Sequence, residues 1–82
     1  MNQSLLSVLP TGAATITRRE TEILHMMSQG KSNKEIASSL HISTQTVTKH
    51  TKNIYRKLDV HNKIEALNKT KWLIASLFNN RN

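Results

Sequence analysis

The sequence predicts an all-α fold of four helices, and three observations predict it. Apolar residues recur at intervals of three and four, and no alternating apolar–polar stretch of useful length occurs. A Thr, Ser or Asn followed three positions later by Glu, the signature of a helix start, occurs at Thr17–Glu20, Ser32–Glu35 and Asn62–Glu65. The chain has 82 residues and no cysteine, so one small domain must build its core from helix packing alone.

The elements follow in order. Residues 1–15 carry the only proline, Pro10, and then Thr11-Gly12-Ala13-Ala14-Thr15, and read as a tail or linker. Their apolar cluster, Leu5, Leu6, Val8 and Leu9, either docks on the domain or belongs to a connection upstream. The domain itself is expected over 16–78. Its first helix starts at the Thr17–Glu20 pair, turns Ile23, Leu24 and Met27 to one face, and ends at Gly30, which accepts a left-handed backbone. The second starts at Ser32 with Glu35 in reply, is about two turns long, and buries Ile36, Ala37 and Leu40. His41-Ile42 forms the turn, with Ile42 inward. Ser43 caps a third helix, about 44–58, whose inner stripe is Val47, Ile54 and Leu58. Its other face carries Gln45, Thr48, Lys49, Lys52 and Arg56, with no acid before Asp59. A fourth helix opens at Asn62–Glu65 and runs to about Phe78, leaving 79–82 as a tail.

Composition narrows the function. Twelve Lys+Arg against five Asp+Glu give a net charge of +7, which favours a polyanionic partner. The distribution says more than the sum. Glu20, Glu35 and Glu65 stand in the first turns of helices, where they oppose the positive end of the helix dipole. The bases are thereby left for a partner: Lys31, Lys34, Lys49, Lys52, Arg56 and Lys57 lie between 31 and 57 with Glu35 as the one acid among them. An enzyme is disfavoured, since no paired carboxylates, nucleophile–base pair or phosphate-cradling glycine loop is present. His25, His41, His50 and His61 lack metal-ligand spacing and read as structural, so neither metal nor cofactor is expected. No stretch approaches the roughly 20 apolar residues that span a bilayer, and the N-terminus lacks a secretory signal, so a cytoplasmic location is expected.

A short helix, a tight turn and a longer basic helix make a helix-turn-helix candidate. The second helix braces the third, and the third enters the DNA major groove, which admits one helix. Short polar side chains let the backbone approach, and long basic ones reach base edges or phosphates. Ser43, Thr44, Thr46, Thr48, Lys49 and Lys52 meet that requirement.

These residues carry a family resemblance. Ile16-Thr17-Arg18-Arg19-Glu20 and Gly30-Lys31-Ser32-Asn33-Lys34-Glu35-Ile36-Ala37 resemble the LuxR/GerE (NarL/FixJ) class of bacterial transcription regulators. So do Leu40-His41-Ile42-Ser43, Thr46-Val47, His50, Asn53-Ile54, Lys57-Leu58, Val60 and Asn62-Lys63-Ile64-Glu65-Ala66. The resemblance covers about 16–68. It implies a four-helix output domain that binds double-stranded DNA as a dimer on an inverted repeat, with RNA polymerase as a further partner and the nucleoid as its place. By resemblance, Thr48, Lys49 and Lys52 read bases, while Lys34, Ser43, Thr46 and Lys57 hold the phosphate backbone. Thr44 and Arg56 join the backbone set. Val47 either meets the DNA or packs in the core. His50 and Asn53 either contact the backbone or make polar surface contacts.

The sequence also departs from the family. Thr48 stands where a lysine is usual and Lys49 supplies a cation one position later, about 100° around the helix, so base preference should differ. Leu58-Asp59-Val60 replaces Leu-Gly-Val, Lys63 replaces an arginine, and Thr17-Arg18 replaces Thr-Pro.

In the last helix, Ile64, Leu67, Ile74, Ala75 and Phe78 form one apolar stripe interrupted by Lys71, with Ala66, Leu73 and Leu77 nearly opposite. One face serves the domain and one is spare. The family pairs through this helix, which makes Leu67, Lys71, Ile74 and Phe78 the expected dimer seam; burial of both faces, one beneath Leu5–Leu9, is the alternative. Trp72 is expected to pack at the edge of this helix. Two other functions compete with DNA reading: a module that pairs with a longer regulator, which the basic face disfavours, and membrane association through 66–78, for which the charge is too sparse.

Overall fold

The computed structural model describes residues 16–78, with the side chains of Trp72, Ser76, Leu77 and Phe78 left aside. The expectations for 1–15 and 79–82 fall outside the described residues, as do those for the side chains of Trp72, Leu77 and Phe78. Within the described residues there are four helices: α1 (Arg18–Ser28), α2 (Asn33–Leu40), α3 (Thr44–Leu58) and α4 (Lys63–Phe78).

Each helix begins where side-chain chemistry satisfies its unpaired amides. Thr17 Oγ1 accepts from the Glu20 amide at 3.1 Å, and Glu20 Oε1 accepts from the Thr17 amide at 2.9 Å. Ser32 and Glu35 repeat this exchange at 3.1 and 2.8 Å. At α3, Ser43 Oγ accepts from the Thr46 amide at 3.0 Å, and no acid lies in the first turn. The fourth start differs from expectation. Asn62 Oδ1 accepts from the Glu65 amide at 2.9 Å, but the Glu65 carboxylate turns back to the His61 amide at 2.8 Å rather than to that of Asn62. The carboxylate reaches one residue further upstream and so holds the chain entering α4.

The first three helices end in one way. The amides of Lys31, Ile42 and Val60 reach back to the carbonyls of Met26, Ala37 and Tyr55 at 3.1, 3.0 and 3.0 Å. Each closure needs a left-handed residue just before the returning amide. Gly30, His41 and Asp59 fill those positions, with φ of 84°, 60° and 58°. Glycine does so freely, and Asp and His are among the residues that tolerate it. The left-handed His41 sets the α2–α3 turn, at a position that neither glycine nor asparagine marks in the sequence.

The core contains the stripes predicted for α1 to α3. Ile23, Leu24 and Met27 of α1, Ile36 and Ala37 of α2, and Val47, Ile54 and Leu58 of α3 are buried. Leu40 and Ile42 pack against them, half-buried. Ile16, just before the first cap, is also fully buried. α1 packs chiefly on α4 and α3, and α2 on α3.

α4 sorts its two faces. Ala66, Thr70 and Leu73 turn inward, fully buried, and the Thr70 hydroxyl donates to the Ala66 carbonyl at 2.7 Å, so it enters the core with its hydrogen bond made. Ile74, expected at the dimer seam, is 5% exposed and joins this core instead. At 100° per residue it lies one step beyond Leu73, close enough to share the inward arc. Ile64 (71% exposed), Lys71 and Ala75 face outward, with Leu67 half-buried beside them.

Candidate nucleic-acid interface

The buried stripe of α3 fixes what the helix offers to solvent. With Val47, Ile54 and Leu58 inside, and the Thr51 hydroxyl bonded to the Val47 carbonyl at 2.9 Å, the opposite side carries Thr44, Gln45, Thr48, Lys49, Lys52 and Arg56, all exposed. Positions 44, 48 and 52, and 45, 49, 52 and 56, run along the helix in rows of three and four. Lys49 and Lys52 project from adjacent turns of an otherwise uncharged section. No carboxylate lies on α3. α2 braces α3 from behind through Ile36, Ala37 and the turn, as the helix-turn-helix arrangement requires.

The flanks of this face are polar and partly organised. Ser43 Oγ and Thr46 Oγ1 lie 2.9 Å apart and share a hydrogen bond at the helix start. Arg56 donates to Asn53 Oδ1 at 3.0 Å, which holds the guanidinium against its own helix. His50 and Asn53 are half-buried, and Lys34 is exposed at the start of α2. The Glu35 carboxyl is held below its ordinary range chiefly by the Ser32 amide, which outweighs an opposing desolvation, with lesser help from the Ser32 hydroxyl and the nearby Lys31 charge. Burial pushes the Tyr55 phenol up.

Two residues expected at the DNA stand elsewhere. Val47 has no accessible surface and packs in the core. Lys57 turns away from the exposed row: its ammonium lies 2.8 and 3.1 Å from the two carboxylate oxygens of Glu20, with side-chain exposures of 14% and 4%. The expectation that the bases are left for a partner is corrected here, because Glu20 serves both as the capping acid of α1 and as the counter-ion of Lys57. Lys69 is engaged too, donating to the Leu58 carbonyl at 2.9 Å, at the negative end of the α3 dipole. Neither contact could be read from the sequence. The pair Glu20–Lys57 is separated by 37 positions, beyond the reach of any local period. Among the described residues no group of three His, Asp or Glu is placed to hold a metal, and no helix is long and apolar enough to cross a membrane.

A braced helix with an acid-free, basic outer row on a four-helix frame defines a class, the helix-turn-helix domain of DNA-binding regulators. The family model for GerE, bacterial regulatory proteins of the luxR family, matches residues 14–70, and the chain belongs to that family. It is 49% identical over 53 residues to the nitrate/nitrite response regulator protein NarP of Escherichia coli, a match covering 65% of this chain and 25% of that protein. It is 40% identical over 67 residues to the transcriptional regulatory protein DesR of Bacillus subtilis, covering 82% of this chain and 34% of DesR. Among solved structures, the response regulator ChrA of a heme-sensing two-component system superposes with a TM-score of 0.70 at 34% identity, over 85% of this chain and 35% of ChrA. The chain therefore spans between a quarter and about a third of the length of these relatives.

Proposed function

We propose that residues 16–78 bind double-stranded DNA in a sequence-dependent manner, as a dimer on an inverted repeat, with α3 in the major groove. The exposed row on α3 carries this reading, because it brings two lysines and two threonines to one face with no carboxylate to repel a phosphate. Thr48, Lys49 and Lys52 are the base readers. Lysine donates to guanine O6 and N7, and the threonine methyl packs on thymine. Lys34, Ser43, Thr44, Thr46, His50, Asn53 and Arg56 surround them and hold the backbone. The acid-free start of α3 adds amide donors and a positive dipole end to that set. Binding takes place in the cytoplasm, at the nucleoid.

The second copy is proposed to pair through the outer face of α4. Ile64, Leu67, Lys71 and Ala75 share that face, and Ile64 is the large apolar side chain that the described core leaves exposed. A twofold pairing there would set two α3 helices in successive major grooves.

The test is a fluorescence titration against a duplex selected from random DNA and against a scrambled duplex, at two salt concentrations. About six phosphate contacts per complex should lower affinity roughly 10³-fold between ~50 and ~200 mM salt. Lys49→Ala and Lys52→Ala should each cost about 1–3 kcal/mol on the selected duplex and relax its sequence preference. Equal, weak binding to both duplexes that neither variant changes would overturn the proposal in favour of a protein-pairing module.

A further inference from the structure

The C-terminal half of α3 is anchored by a buried ion pair, and the anchor bears on what Lys57 does. Glu20 Oε1 accepts at once from the Thr17 amide at 2.9 Å and from Lys57 Nζ at 2.8 Å, and Oε2 accepts from Lys57 Nζ at 3.1 Å. The carboxylate is 4% exposed. Its position is fixed by the cap of α1, a helix already held by Ile23, Leu24 and Met27. A charge so placed cannot follow a moving partner, so the lysine must come to it. Between one and just over two turns upstream on the same helix stand Lys52 and Lys49. Rotating or sliding α3 on α1 would pull Lys57 from Glu20 and leave a buried carboxylate without its counter-ion, a costly state.

We infer that Lys57 is a positioning residue: it acts on DNA through Glu20, by fixing the rotation and depth at which α3 is presented, and it is not a phosphate ligand. This rests on the DNA-binding reading above. It separates Lys57 from Lys49, Lys52 and Arg56, whose side chains are exposed. A phosphate ligand and a positioning residue differ in a measurable way. Losing a phosphate contact weakens binding to every sequence and removes one released counterion. Losing the anchor harms only the complex that needs α3 in one pose.

The experiment compares wild type, Lys57→Met, Lys57→Arg and the double variant Glu20→Gln/Lys57→Met on the selected and scrambled duplexes across a salt series. It is run at a temperature where circular dichroism shows each variant folded. The double variant leaves no buried charge unpaired and keeps an oxygen for the Thr17 amide, so it stays folded if Lys57→Met does not. Positioning predicts that the methionine variants lose roughly tenfold on the selected duplex, within the range for coupled contacts. Scrambled binding and the salt slope stay unchanged, and Lys57→Arg restores most of the loss. A fall on both duplexes, with the slope reduced by about 0.9 per chain, would make Lys57 a phosphate ligand and overturn the inference. Unchanged affinity in the folded double variant would also overturn it, leaving the pair a matter of stability alone. If wild type discriminates between the duplexes in neither salt, the DNA reading itself fails, and this inference with it.

Discussion

Asp59 holds φ at 58° so that the Val60 amide can close the end of α3 on the Tyr55 carbonyl. A left-handed backbone costs an L-residue roughly 1–2 kcal/mol, less for Asp than for most, and glycine escapes it at the expense of a more flexible unfolded chain. Asp59→Gly should therefore stabilise the fold by about 0.5–1 kcal/mol, seen as a higher urea midpoint. A lower midpoint would mean that the aspartate makes an attraction that outweighs its strain. Glu35 supplies a pH dependence. Its folded carboxyl is more acidic than its ordinary value of 4.5, because the ionised form accepts from Ser32. Its contribution is thus fully present above that ordinary value and is lost as the pH falls through the lower, folded one. Glu35→Gln should be less stable than wild type at pH 7, and the difference should shrink towards pH 3.

At the scale of the element, α3 depends on its own first turn. Ser43 satisfies the Thr46 amide, and no acid assists it as Glu20 and Glu35 assist the helices before. Ser43→Ala should cost about 1 kcal/mol of stability. Amide exchange should quicken first at 44–47, the turn that leads into the proposed base readers. Uniform acceleration along the whole helix would point to a loss of packing instead. The other end is held more firmly, by Lys57 on Glu20 and by Lys69 on the Leu58 carbonyl. An element gripped at its C-terminal end and free along its outer face is suited to insertion into a groove by its first turns.

For the molecule as a whole, α4 links two tasks. Its inner face, Ala66, Thr70, Leu73 and Ile74, completes the core beneath α1 and α3, and its outer face presents Ile64, Leu67, Lys71 and Ala75. Pairing through that outer face would hold the two copies of α3 at a set spacing. Leu67→Glu should keep the helical circular dichroism signal yet lose the advantage of an inverted repeat over a single half-site. Sedimentation of the DNA complex should show one chain where wild type shows two. Retained two-chain binding would place the seam elsewhere.

Much of this protein was legible in the chain itself. Local chemistry determined where the helices begin, through Thr17, Ser32, Ser43 and Asn62, and where the first one stops, at Gly30. Periodicity determined the buried stripes of α1, α2 and α3 and, by exclusion, the exposed row through Thr48, Lys49 and Lys52. These features depend on neighbours within about four positions, so the sequence displays them directly. Only the tertiary structure decided which of the bases are engaged, because the Glu20–Lys57 pair joins positions that no local period relates. It likewise decided that Ile74 turns inward while Ile64 stays out. A helix with apolar residues on two sides carries no mark of which side its neighbours will cover, and that choice was made by the packing of α4 against α1 and α3.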